Sequence, residues 1–112
     1  MSDAIFVYGT LRSEFDNPHA RLLRENAEFL GRSTVRGSIF RIATYPGYKT
    51  EPDGVVHGEL WRLRDPEAVL AALDDYEGAA YSRLPIGNAW IYVYNGEVRA
   101  DQRILSGDFL AP

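Results

Sequence analysis

Two local signatures restrict what this chain can fold into. Asn17-Pro18 and Asp65-Pro66 each set a helix-capping side chain directly before a proline. The cap oxygen accepts a hydrogen bond from the first turn, and proline at the first helical position gives up an N–H that would have no intrahelical acceptor there. The first signature predicts a helix over "NPHARLLRENAEF", with Leu22, Leu23 and Ala27 facing inward. The second predicts a helix from Pro66 in which Val69, Leu70 and Leu73 recur at helical spacing. The remaining chain reads as strands and turns.

"AIFVYG" is a short buried strand ending at Gly9, followed by a polar turn, "TLRSE". Phe29 to Ile42 reads as two strands broken near Gly37, and "ATYPGYKTEPDG" as a loop because prolines and glycines punctuate it. "VVHGELWRL" alternates as a strand does, and "SRLPIG" and "AWIYVYN" form a hairpin across Gly87-Asn88. The tail "GEVRADQRILSGDFL" is expected to hold one more short strand, to pack Ile104, Leu105 and Phe109, and to turn at Ser106, Gly107 and Asp108. The order strand, helix, strands, helix, strands predicts an α+β fold on a mixed or largely antiparallel sheet, one that can curl into a small β-barrel with flanking helices.

Composition narrows the function classes. At 112 residues, 46% hydrophobic and 25% charged, the chain fits one globular domain over residues 1–112. No apolar run approaches the ~18–20 residues of a membrane span, and "MSDAIFVYGT" lacks the features of a signal peptide. The absence of cysteine rules out disulfides and thiolate chemistry and agrees with a cytoplasmic location. Net charge is −4, and the eleven arginines and Lys49 are scattered, which argues against nucleic acid as a partner. The residues do not specify an oligomeric state. His19 and His57 are far apart and lack a metal-ligand spacing, so no metal site is expected. There is no G-x-S-x-G elbow, and "YGTLRS" lacks the glycines and the Lys-Ser/Thr pair of a phosphate loop.

Two stretches carry chemistry. In "VYGTLR" a strand breaks at Gly9 and offers successive backbone N–H groups beside the Thr10 hydroxyl, with Arg12 adding positive charge. Such a loop can hold a carboxylate, although a plain strand-to-loop turn would have the same sequence. The second is "VLAALDDYEGAAYSR", where Asp74, Asp75 and Glu77 crowd the carbonyl end of a helix. That end carries about half a negative charge and disfavours anions by roughly 0.3–1 kcal/mol each. Like charge and dipole should raise at least one carboxyl pKa there, and burial would raise it further. A carboxyl so raised suits acid–base chemistry near neutral pH, while a solvated helix end is the bland alternative.

Tyr8-Gly9-Thr10-Leu11 matches a Y-G-[ST]-L motif, and Leu73-Asp74-Asp75-Tyr76-Glu77-Gly78 followed by Tyr81 matches L-D-x-[YF]-E-G with a trailing tyrosine. Together with "YPG", "VHGELW", "AWIYVYN" and "ILSGDFL", these resemble the gamma-glutamylcyclotransferase-like family, including its short bacterial members. The resemblance implies a small mixed barrel in which the Tyr8–Leu11 loop holds the α-carboxylate of a gamma-glutamyl group and Glu77 is the acid–base residue. Tyr81 and Tyr92 are further pocket candidates. The implied reaction needs no cofactor: the α-amine of a gamma-glutamyl amine or amide attacks its own side-chain carbonyl, releasing 5-oxoproline and a free amine. The alternative is a non-catalytic protein that binds a small carboxylate in the same pocket.

Overall fold

The computed structural model describes residues 3–13 and 15–111. The elements run β1 (Ala4–Val7), α1 (Pro18–Asn26), β2 (Ala27–Arg36), β3 (Ser38–Arg41), β4 (Pro46–Lys49), β5 (Val55–Leu63), α2 (Pro66–Glu77), β6 (Tyr81–Ile86) and β7 (Ala89–Tyr94). Both helix starts are built as their residues dictate. Asn17 Oδ1 accepts from Ala20 N at 2.8 Å, and Asp65 Oδ1 accepts from Ala68 N at 3.5 Å. Glu14, the last residue of the expected "TLRSE" turn, lies outside the described residues.

All seven strands belong to one sheet, in the order β2-β5-β1-β7-β4-β3, with β6 paired to β7. The two ends of that path, β2 and β3, are joined by Gly37 alone. Laid flat, six strands at ~4.8 Å per step would set those ends roughly 24 Å apart. Residues on either side of one linking residue can be no more than about 7 Å apart. The sheet therefore has to curl until its outer strands meet at Gly37, which makes a mixed, mostly antiparallel half-barrel. Gly37 sits at φ +140°, and a Cβ there would lie 2.5 Å from the Tyr48 ring, so the corner requires glycine.

β1 is buried on both faces. Ile5 and Val7 pack with Leu23, Val69, Leu70 and Leu73 beneath the helices, while Phe6 and Tyr8 pack with Ile39, Tyr48, Ile91 and Phe109 inside the curl. Side chains alternate across a strand, so one strand divides two cores.

Four expectations are corrected. The first helix ends at Asn26, and Ala27 is a buried residue of β2 instead. The loop read from Ala43 to Gly54 contains β4: Pro46, which cannot donate to a ladder, opens the strand, and Gly47 lets it lie against Tyr94. The tail forms no further strand, only a 3-10 turn at Ala100–Gln102 and a single bridge between Phe40 and Arg103. Ile104 and Phe109 are buried as expected, but Leu105 is 89% exposed. No helix among the described residues is long and apolar enough to cross a membrane.

Candidate functional site

The fork in the sheet creates the site. β6 pairs along the whole of β7, so β7 has one other edge, and two strands share it. β1 pairs at Ala89 and Trp90, and β4 pairs at Val93, both in parallel. Between these contacts the ladder is open, and the Tyr8 hydroxyl fills the gap. It donates to the Tyr92 carbonyl at 2.7 Å and accepts from the Tyr48 N–H at 3.1 Å. Burial pushes this phenol's pKa well up, so it stays neutral and replaces one rung of the sheet.

Beyond the fork lies a cleft of about 360 Å³. Tyr8, Gly9, Thr10, Leu11, Glu77, Tyr81 and Tyr92 all line it, so the structure brings the seven residues singled out from the sequence together. Its wall also includes Thr44, Tyr45, Pro46 and Tyr76. Of these, Tyr45 and Pro46 fall in the "YPG" stretch, and the loop reading of that segment concealed their placement.

The loop from Gly9 to Leu11 is held by its carbonyls. Gly9 O accepts from Arg12 N at 3.1 Å, and Thr10 O accepts from Asn17 Nδ2 at 2.8 Å. In a trans peptide the next N–H points opposite to the carbonyl, so the N–H groups of Thr10 and Leu11 turn away from those two anchors. Among the described residues no acceptor engages the N–H groups of Gly9, Thr10 or Leu11. Asn17 therefore has two roles, capping α1 and orienting this loop. Gly9 is needed for space: a Cβ would lie 2.9 Å from Cδ and Cγ of Pro46. Arg12, whose positive charge is near the loop in sequence, does not line the cleft. Its buried guanidinium donates to Asp108 at 2.8 Å.

The three acids at the end of α2 meet three different fates. Asp74 accepts from Arg83 Nε and Nη2 at 2.8 and 3.0 Å and from the Tyr92 hydroxyl at 2.7 Å. The Arg83 hydrogen bonds hold its carboxyl below the usual range, against the upward pull of burial. Asp75 is exposed. Glu77 is half-buried in the cleft, and its carboxyl has no hydrogen-bond or ion-pair partner among the described residues. Burial pushes its pKa from 4.5 up to about 7. The expected rise is therefore there, but its cause is desolvation and not the crowding of like charges.

The tyrosines divide by what their hydroxyls touch. Tyr81 donates to the Pro46 carbonyl at 2.7 Å, and its pKa is raised by burial and then by Glu77. Tyr92 lines the cleft while its hydroxyl donates to Asp74. Tyr76 lies 3.5 Å from the Thr10 hydroxyl, and its ring stacks on His19 at 3.8 Å. His57 is exposed on β5.

The family described as Gamma-glutamyl cyclotransferase, AIG2-like matches residues 5–111 of this chain. The protein belongs to that family. YtfP of Escherichia coli K12, a gamma-glutamylcyclotransferase family protein, is 38% identical over 113 residues, covering 95% of either chain. The solution structure of ytfP from Escherichia coli superposes with a TM-score of 0.71 at 36% identity, covering 96% of both chains. A crystal structure of an uncharacterized protein from Pyrococcus horikoshii gives a TM-score of 0.78 at 26% identity, covering 96% of this chain and 90% of that one. Both share the curled sheet and flanking helices of the AIG2-like fold.

Proposed function

We propose that this member of the family is a cyclotransferase that converts a gamma-glutamyl amine or amide into 5-oxoproline and a free amine, with Glu77 as general acid and base. The observation that carries this reading is a half-buried carboxyl without a partner, its pKa near 7, in one cleft with a loop whose N–H groups have no acceptor. The α-carboxylate of the substrate fits the N–H groups of Gly9, Thr10 and Leu11, as anions fit nests of backbone donors.

Ring closure needs the α-amine neutral. An α-ammonium loses its proton near pH ~8, so a free glutamate at ~4.3 would be mismatched by about 5 kcal/mol. With Glu77 at about 7 the mismatch falls to roughly 1–2 kcal/mol. Glu77 takes a proton from the ammonium and the amine attacks the side-chain carbonyl carbon. The C–N bond of the ring forms, and the bond to the leaving nitrogen breaks as Glu77 returns the proton there. Two protons move in all from the α-nitrogen to the leaving amine, and water is not consumed. Nucleophile and electrophile lie in one molecule, so the cleft's remaining task is to hold the ring-closing conformer.

The reading is tested by 5-oxoproline release from gamma-glutamyl amino acids, gamma-glutamyl-ε-lysine, gamma-glutamyl polyamines and glutathione. Turnover of at least one, lost in Glu77→Gln, is the expected result. Silence across the panel from folded protein, with carboxylate binding that Glu77→Gln leaves intact, would favour the binding-protein reading instead. Gly9→Ala supplies a second check. The new Cβ meets a proline ring that cannot swing aside, so loop or β4 must shift. KM is expected to rise roughly tenfold or more, because displacements of an ångström matter at such sites.

A further inference from the structure

We propose that Asp74, Arg83 and Tyr92 form a clamp that positions Glu77, fastening the last turn of α2 to the β6–β7 hairpin so that the Glu77 side chain stays in the cleft. The inference rests on the cyclotransferase reading for its kinetic consequence but not for its geometry.

Arg83 and Tyr92 are directly opposed across β6 and β7, so their side chains leave the same face of the sheet. Both converge on one carboxylate. Arg83 presents a two-pronged fork to Asp74, and Tyr92 adds a third donor to the same oxygen that Arg83 Nε engages. The Arg83 guanidinium also lies 4.4 Å from the centre of the Trp90 ring, which holds the fork from behind. A bidentate charge pair fixes direction as well as distance, as a lone lysine would not.

Asp74 stands three residues before Glu77, one turn away on the same side of the helix. The helix stops immediately afterwards, where the Gly78 N–H bonds to the Asp74 carbonyl. Asp74 is thus the last point at which this end of α2 is tied by its side chain to the sheet before the residue that enters the cleft. The clamp also removes an electrostatic problem. An unpaired Asp74 would set a second carboxylate beside Glu77, and Arg83 answers that charge before it acts on the cleft. Among the described residues, the other ionisable groups beside Glu77 or lining the cleft are Asp75 and Tyr76 on α2, Tyr8 after β1, Tyr45 before β4, Tyr81 on β6 and Tyr92 on β7, with His19 of α1 stacked on Tyr76. Burial raises the pKa of the Glu77 carboxyl, so its surroundings depend on where the helix end is held.

The test pairs a spectroscopic readout with a kinetic one. Carbon-detected NMR follows the Glu77 side-chain carboxyl through a pH titration in the wild type and in Asp74→Asn, with thermal unfolding run alongside. Loosening the helix end admits water and frees Arg83, so the Glu77 midpoint is expected to fall by about one pH unit or more. On the substrate identified by the panel, kcat is expected to fall roughly 10- to 100-fold with KM changed little, and the acidic limb of the pH profile should move with the midpoint. A folded Asp74→Asn protein whose midpoint stays near 7 and whose kcat is unchanged overturns the proposal. Should Asp74→Asn fail to fold, Tyr92→Phe and Arg83→Lys, which weaken the clamp without removing the carboxylate, are read the same way. Their midpoints should fall by less, and unmoved midpoints in both overturn it. If the wild type turns over nothing, the cyclotransferase reading fails, and the titration alone still decides the clamp.

Discussion

Glu77→Gln is expected to eliminate 5-oxoproline release and, at pH 8, to make the protein more stable than the wild type. The loss of activity follows from the role proposed for Glu77 in moving both protons, a contribution typically worth ~10²–10⁴ in rate. The gain in stability follows from the same burial that tunes the carboxyl. Below pH 4.5 Glu77 is protonated whether the chain is folded or not, and the folded state suffers no penalty. Between 4.5 and about 7 the unfolded chain ionises first, so stability falls as pH rises. Above 7 the wild type bears the full mismatch, about 3 kcal/mol from the two values. The glutamine does not ionise and escapes this loss, less whatever its unpaired amide gives back. Urea unfolding of both proteins at pH 5 and pH 8 measures it: the difference should be small at pH 5 and reach up to about 3 kcal/mol at pH 8. Equal slopes with pH in the two proteins would show that Glu77 titrates normally. Asp74 and Asp108, both held below the usual carboxylate value, act in the opposite sense and withdraw their stabilisation only in acid.

Tyr8→Phe is expected to lower stability by roughly 2–6 kcal/mol, since a buried donor or acceptor left without its partner costs about 1–3 kcal/mol and two are stranded. These are the Tyr92 carbonyl and the Tyr48 N–H, on the two strands that the hydroxyl joins. Phenylalanine keeps the ring and its packing against Tyr48, which isolates the hydroxyl as the cause. Chemical denaturation at constant pH gives the number. A loss under about 0.5 kcal/mol, within the range of an ordinary surface change, would mean that the fork is satisfied without Tyr8. The same residue heads the Y-G-T-L motif, so the motif's first position closes the fork in the sheet as well as lining the cleft.

Local chemistry explains which parts of this architecture could be read in advance. Asn17-Pro18, Asp65-Pro66 and the Gly87-Asn88 turn act on their immediate neighbours, and each lies where the residues alone place it. β4 was hidden because proline and glycine argue for a loop wherever they stand, and only the partners β3 and β7 override that preference. Leu105 was expected inside because it is hydrophobic, but its neighbours Ile104 and Phe109 take the available core positions.

The candidate site divides along the same line. The residue types it needs were legible in two short motifs: a glycine where the backbone must come close to Pro46, and a glutamate at the end of a helix. The charge of Arg12 lies near the loop in sequence, but where its long side chain extends is decided by Asp108, 96 positions away. Likewise the crowd of acids at the end of α2 signalled an unusual carboxyl without saying which one. Sequence determined that three carboxylates and a donor-rich loop existed. The tertiary structure alone gave Asp74 to Arg83, left Asp75 in water and set Glu77 in the cleft, because proton affinity depends on how much solvent and charge surround a group, and both come from elements distant in the chain.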